Sequence, residues 1–419
     1  MDSFFFVINI LCHIVLTIYY PIYISRFFRL PLINPITVVF FVSLPVILFK
    51  TFIGPLYILE GGLLNPYFNF AILMANLALV TELLMIGLLL RTFSHHDFFY
   101  HVVFKYAPRW KIKRRKMLYV SLLFLLLAFF FFYLLTSHSF GFLNWIKAPR
   151  TGYQLHRTGT GQYFALALLF LSTSYAILLL YLKTFRKIMF FTLLYLFFVW
   201  FLGSKGFMLN FCIYTFIVLW FKGYKRIKKL LYFGIPIIFI PLLLNFGSFD
   251  FEDIASYFDY YVNSSMYYEE YFKGNIDLFY GKIALSQFWG MIPRALYSDK
   301  PYVYGFLLVN EHFFPGAAEA TNTPAFGGPI AAFADFGVLG VLGASIFNLG
   351  LWFQIYCYYV VLKERSYEKI VSNPLILYAF LILFAPSFLV FFVFPLSFFI
   401  FLLLITIISL TNRLVIRYT

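Results

Sequence analysis

Residues Val371–Asn412 read VSNPLILYAFLILFAPSFLVFFVFPLSFFIFLLLITIISLTN, 42 positions without a single Asp, Glu, Lys or Arg. Wound as helix, that run would be about 63 Å long, too long for one crossing of a bilayer and enough for two, with Pro395 at the reversal. Backbone groups in lipid need partners within their own segment, so such runs become helices. A membrane barrel would alternate polar and apolar residues, and these runs do not. The rest of the chain repeats the pattern. Its 419 residues are 63% hydrophobic and 12% charged, with a mean hydropathy of +0.86. A soluble domain would carry about twice that charge. The expected fold is an all-α integral membrane protein, one polytopic domain over residues 1–419.

About eleven transmembrane helices are expected. They fall near Phe4–Ile24, Pro35–Phe52, Phe68–Leu90, Met117–Ser137, Gln162–Leu182, Ile188–Leu202, Phe207–Phe221, Leu230–Phe246, Gly327–Leu362, Pro374–Phe394 and Leu396–Thr411. The sixth and seventh are short and joined by Gly203-Ser204-Lys205-Gly206. The net charge of +15 reads as topology. Basic clusters at Arg26/Arg29, Arg91–Lys116, Lys183–Lys187, Lys222–Lys229, Lys363–Lys369 and Arg413/Arg417 all fall on one side of this arrangement, which the positive-inside rule makes the cytoplasm. Nucleic acid is therefore not an expected partner. Met1-Asp2-Ser3 has no basic n-region, so no signal peptide is expected. Cys12, Cys212 and Cys357 sit inside apolar runs and read as packing residues.

Two outer loops remain for water-facing chemistry. The larger, Gly247–Phe326 (247–326), holds Asp250, Glu252, Asp253, Asp259, Glu269, Glu270, Asp277, Asp299, Glu311 and Glu319, ten of the chain's 17 acids. The smaller, His138–Gly161 (138–161), carries Lys147, Arg150 and Arg157 and no acid. Outer loops normally avoid Lys and Arg, so this cluster asks for an anion, and Arg forks match phosphate oxygens. The plain alternatives are pairing with the acidic loop or with lipid headgroups. Arg150 stands eleven positions before Gly161, and Arg294 eleven before Gly305, an Arg-x10-Gly pattern in each loop.

This pattern resembles the Wzy-type O-antigen (oligosaccharide repeat-unit) polymerases. So do Pro149-Arg150 … Tyr153-Gln154 … Arg157-Thr158-Gly159-Thr160-Gly161 and Ile292-Pro293-Arg294 … Lys300-Pro301, with the glycine-rich run from Gly327 through Asp335, Gly337 and Gly340 behind them. The resemblance implies a GT-C-like membrane fold in the bacterial cytoplasmic (inner) membrane, with its active site on the outer face. It implies transfer of a growing glycan from an undecaprenyl-diphosphate carrier to a new lipid-linked repeat unit. No cofactor or metal is implied. The expected partners are undecaprenyl-diphosphate-linked oligosaccharide, membrane lipids and a chain-length regulator protein. Carried onto this chain, Arg150 and Arg294 match the loop arginines, with Arg157 behind them, and would hold the diphosphates. A glycan ligase of the same superfamily and a flippase of anionic lipid-linked substrates are the rival readings.

A hydroxyl acceptor must lose its proton. By position, His312 and Glu311 are the candidate bases, with Glu319 and Asp335 behind; an ordinary loop histidine is the plain alternative for His312. Lys205, Tyr153, Lys300, Gly161 and Gly305 complete the expected substrate-binding set. Lys205 could instead simply snorkel to the interface. The group His95-His96-Asp97 … His101 has metal-ligand chemistry but reads as a solvated basic loop. Asn9, His13 and Glu82 fall inside spans, where helix–helix hydrogen bonding accounts for them. The spacing of Tyr257, Tyr260, Tyr261, Tyr267, Tyr268 and Tyr271 fits amphipathic helices lying on the membrane, while Tyr297, Tyr302 and Tyr304 suit glycan contact.

Overall fold

The computed structural model describes residues 2–30, 37, 66–95, 114–155, 159–203, 205–222, 224, 260–292, 294, 296–319, 324–364, 370, 372–383, 403 and 406. All secondary structure among them is helical. The spans expected at Pro35–Phe52, Leu230–Phe246 and Leu396–Thr411 lie outside the described residues, isolated positions aside, as do Arg157, Tyr257 and most of the basic cluster Arg91–Lys116. Among the described residues, five stretches are helical, long and apolar enough to cross a membrane: Phe5–Phe27, Tyr67–Ser94, Lys116–Ser137, Gly161–Tyr181 and Ile330–Val361. All five coincide with expected spans.

In chain order, α1 (Asp2–Ile14) passes through a π-helical turn, Val15–Tyr19, into α2 (Tyr20–Phe27). Then come α3 (Pro66–His95), α4 (Arg114–Ser137), the short α5 (Phe142–Lys147) and α6 (Pro149–Leu155), α7 (Gly161–Tyr181), α8 (Phe185–Trp200) and α9 (Lys205–Phe221). The large loop contributes α10 (Tyr260–Phe272), α11 (Lys282–Ser286) and α12 (Leu307–Phe313). Last are α13 (Ile330–Ile346), α14 (Leu349–Glu364) and α15 (Pro374–Leu383). The chain forms two compact units. The first comprises Met1–Arg91, Phe246–Ile292 and Asp299–Trp352; the second comprises Thr92–Asn245, Pro293–Ser298 and Phe353–Thr419.

In the first unit, α1 and α3 are tied by polar groups inside their apolar spans. Asn9 Nδ2 donates to the carbonyl of Asn69 (3.1 Å), Asn76 Nδ2 to that of Asn9 (3.4 Å), and the His13 ring bonds Asn76 Oδ1. The expected helix–helix bonding holds for Asn9 and His13. Glu82, half-buried on α3, makes no hydrogen bond among the described residues. The Thr17 hydroxyl donates back to the His13 carbonyl (2.6 Å) at the π turn, the kind of side-chain insertion that widens a helix.

The tyrosine cluster corrects an expectation. Tyr261, Tyr267 and Tyr268 do not lie on a membrane surface; they are protein core, and the last two are fully buried. Phe333 of α13 is the hub, with ring centroids 4.8 Å from Tyr268, 5.3 Å from Tyr271 and 5.8 Å from Phe70. Burial disfavours phenolate, which pushes Tyr261 up to about 12 and holds Tyr267 and Tyr268 well above the ordinary phenol range. A spacing of three and four residues marks one helix face but does not say whether lipid or protein covers it.

The ninth span is apolar helix as expected, yet it is not continuous. Phe336 (φ −139°) and Gly337 (φ +62°, ψ −146°) leave helical geometry in mid-α13, and Gly337 occupies a region open to glycine alone. A Cβ on Gly340 would stand 2.0 Å from the carbonyl oxygen of Ala332, so the close approach across the kink needs a second glycine. At Phe347–Asn348 the helix stops, and Asn348 Oδ1 accepts the Leu351 N–H (3.0 Å) to begin α14.

In the second unit α7 is the centre. Every residue from Ala167 to Leu180 is buried, as expected of a helix apolar all round. It packs as a hairpin partner of α4, with α8, α9 and α15 also against it. Buried hydroxyls stitch these helices together. Ser174 Oγ donates to the Ser121 carbonyl (2.7 Å) and bonds Tyr195 Oη (2.6 Å). Tyr175 Oη bonds Thr192 Oγ1 (2.9 Å) and Thr215 Oγ1. Lys222, in one of the basic clusters, donates to the terminal carbonyls of α7, among them Leu180 (3.4 Å), a cation at the negative end of a helix.

Candidate functional site

The smaller outer loop is built on a tryptophan. Gly141 (φ +87°) turns the chain out of α4 into α5. Trp145 is fully buried, and its Nε1 donates to the Phe201 carbonyl at the end of α8 (2.6 Å). Gly152 of α6 lies on the indole, where an added Cβ would be 2.4 Å from Cδ2. Proline in the first turn suits α6, since that N–H has no helical partner.

This loop sits on the α8–α9 turn. Gly203 has φ +70°, and a Cβ there would lie 2.3 Å from the Pro149 carbonyl oxygen and 2.6 Å from Tyr153 Cβ. The contact brings together two separately suspected places, the Arg150 loop and the turn into α9, whose first residue is Lys205. Tyr153 packs on Phe164 of α7 (centroids 5.4 Å apart), and the exposed Arg150 guanidinium lies 5.4 Å from the centre of the Tyr153 ring. Among the described residues neither Arg150 nor Lys147 pairs with a carboxylate. Gly161 is the first residue of α7. The exposed Arg150 guanidinium, the Tyr153 ring and the N–H-rich start of α9 make a surface suited to an anion.

The Arg294 stretch hangs on a clasp in the larger loop. Lys300, 9% exposed, donates from Nζ to the Ile292 carbonyl (2.9 Å) and lies 4.7 Å from the centre of the Tyr304 ring. Between the ends of this clasp Arg294, half-buried, donates to the Ser298 carbonyl (3.3 Å). Arg294 thus belongs to Pro293–Ser298, which groups with the second unit, the one that carries Arg150. Gly305 (φ +58°) donates its N–H to Ser286 Oγ (2.8 Å).

The candidate bases lie in the first unit. Glu311 Oε1 accepts the Gly316 N–H (2.8 Å), closing the turn after α12, while Oε2 is buried without a partner among the described residues. His312 is exposed, its ring 4.9 Å from that of Phe313. Asp335 is a correction to the expected list of bases. It is buried, and both carboxylate oxygens accept backbone N–H groups, from Gly281 (3.1 Å), Ile283 (3.0 Å) and Ala284 (2.8 Å). A carboxylate held in this way anchors chain rather than removing protons. His96, Asp97 and His101 lie outside the described residues, and among those described no cluster of three His, Cys, Asp or Glu could hold a metal. Sequence reasoning found the Gly203 turn but not its contact with Pro149, and it missed Trp145; a tryptophan beside basic residues in an outer loop was the available signal.

No family model and no solved structure matches the chain. It is 30% identical over 207 residues to the O-antigen polymerase of Salmonella typhimurium (strain LT2), a match covering 47% of this chain and 49% of the relative. The O-antigen polymerase of Salmonella typhi matches to the same extent. The chain therefore spans about half the length of the curated relatives it matches. Over that half, the chain is similar to proteins named O-antigen polymerase, the family that its two outer loops resemble.

Proposed function

We propose that the chain polymerises lipid-linked oligosaccharide repeat units on the outer face of a bacterial inner membrane. An acceptor hydroxyl oxygen attacks the anomeric carbon of the donor glycan. The bond from that carbon to the carrier diphosphate breaks, its electron pair leaves with the diphosphate, and the hydroxyl proton passes to a base. The developing charge on the leaving diphosphate is what a basic site must stabilise. Arg150 and Arg294 do this, with Lys205 and Arg157 as further cations for the same anion; Tyr153 orients Arg150. His312 or Glu311 takes the proton. The substrate is a carrier-bound oligosaccharide, and a chain-length regulator acts with the enzyme.

The observation that carries the geometric side of this reading is the seating of the Arg150 loop on the Gly203 turn. It supports a phosphate site because it puts an arginine that has no carboxylate partner among the described residues beside a helix start. The relatives named O-antigen polymerase support the reaction class.

The test is the lipid-linked glycan profile of cells with and without the gene. Loss of polymer, with single repeat units left on the carrier, supports the reading. Accumulated long carrier-linked polymer would make the chain a ligase, and single units trapped on the inner face would make it a flippase. Arg150→Ala and Arg294→Ala should each abolish polymer at unchanged protein level. Arg→Lys should also be damaging, because an ammonium cannot bridge two phosphate oxygens as a fork does.

A further inference from the structure

Asp335 stands one residue before the non-helical pair Phe336–Gly337 and is 3% exposed. Its oxygens accept three N–H groups from the start of α11, and two backbone bonds run beside them. Phe279 N–H donates to the Ala334 carbonyl (2.8 Å), and Tyr280 N–H to the Asp335 carbonyl (3.0 Å). The kink makes this possible, because non-helical dihedrals at Phe336 and Gly337 release those two carbonyls from the regular ladder. Gly281, in left-handed geometry (φ +89°), turns the chain so that successive N–H groups face one carboxylate. The large loop is thus bolted at residues 279–284 to a break in a membrane helix.

What hangs from the bolt is the Arg294 stretch. The three-residue-per-turn helix Gln287–Met291 continues directly from α11 and ends at Ile292, where Lys300 closes the clasp. Ser286, the last residue of α11, receives the Gly305 N–H. Both ends of the stretch that bears Arg294 are therefore fastened to α11 or its continuation, and α11 is fastened to Asp335.

We propose that Asp335 is a positioning residue: through α11 it fixes where Arg294 is presented to the diphosphate. This rests on the reading that Arg294 binds that group. The carboxylate is required for its acceptor geometry. Asn offers one acceptor oxygen in place of two and turns a donor toward the Ala284 N–H; Ala offers none.

The test pairs amide hydrogen exchange on the full-length protein in detergent with the polymer profile of cells carrying the same variants. In Asp335→Ala, exchange at Gly281, Ile283 and Ala284 should rise about tenfold or more, the rise should extend through residues 292–305, and polymer should be lost at unchanged protein level. Asp335→Asn should fall between wild type and Ala in both readouts. The buried face of α10 (Tyr260–Phe272) should keep its protection, which a general loss of stability would not allow. Faster exchange confined to 279–284 would overturn the proposal, since Asp335 would then anchor only its own neighbours. Faster exchange through 292–305 with a normal polymer profile would overturn the role of Arg294 and leave the mechanical link in place. Unchanged exchange would show that the bolt does not exist.

Discussion

Gly203→Ala is the sharpest perturbation of the site that touches none of its charged groups. The added methyl meets two difficulties. Left-handed backbone costs a non-glycine residue roughly 1–2 kcal/mol. The larger one is space. The nearest atom, 2.3 Å away, is the Pro149 carbonyl oxygen, which is backbone and cannot rotate aside. Reaching ordinary contact moves α6 outward by about 1 Å, and a displacement of that size costs about 100-fold when it misplaces a catalytic group. The same motion strains the Trp145–Phe201 bond, whose loss adds about 1–3 kcal/mol for the buried indole N–H. The protein should still insert, because α7 and its neighbours do not depend on this contact. The assay is the polymer ladder in cells, normalised to membrane protein level, beside Gly274→Ala. That control has nearly the same φ (+76°) and no atom within 4 Å of its added Cβ among the described residues. Gly203→Ala should lose long polymer and Gly274→Ala should keep it. Equal ladders would refute the idea that the loop's seat on the turn serves the reaction.

Three further outcomes follow from the packing. Tyr175→Phe should lower stability by only about 0.6 kcal/mol, since Thr192 and Thr215 also donate to their own helix carbonyls, Ile188 and Phe211 (each 2.8 Å). Tyr175→Ala, which opens a cavity at the centre of the second unit, should cost about 3–5 kcal/mol; denaturation in mixed micelles measures both. Gly340→Ala should destabilise by about 1–3 kcal/mol, read as a lowered thermal midpoint, because its methyl strikes the Ala332 backbone. Stability should also fall as pH rises. An unfolded tyrosine ionises near 10, whereas folded Tyr261 holds its proton up to about 12, so between those values the unfolded state binds fewer protons and gains. A thermal midpoint level up to pH 11 would contradict that burial, and Tyr261→Phe should soften the alkaline decline.

What could be read from the sequence was whatever lipid dictates. Apolar runs long enough to cross a bilayer leave helix as the only solution, and the described spans appear where such runs stand. Polar residues inside spans were legible for the same reason: Asn9 and His13 had to find partners, and they find them on α3. Illegible were the features set by contacts between distant positions. Asp335 and the N–H groups it accepts are more than fifty residues apart, and nothing local marks the carboxylate as an anchor rather than a base. Lys300 looked like a cation awaiting a substrate, while its ammonium holds Ile292. The arginine loop was legible as charge out of place, but its seat on Gly203 depended on a buried indole that composition alone would place at a membrane interface.

The buried hydroxyls of the second unit bear on how the protein is made. Helices inserted one after another into lipid find no apolar reward for meeting, because lipid is as apolar as they are. Ser121, Ser174, Tyr175, Thr192, Tyr195 and Thr215 mark where α4, α7, α8 and α9 must stop sliding. A slip of one turn, about 5.4 Å, would part these pairs and turn their hydroxyls toward leucine and phenylalanine. The ladder is therefore a ruler read during biogenesis: it sets the depth of each helix, and so the height at which the Gly203 turn meets the loop that carries Arg150.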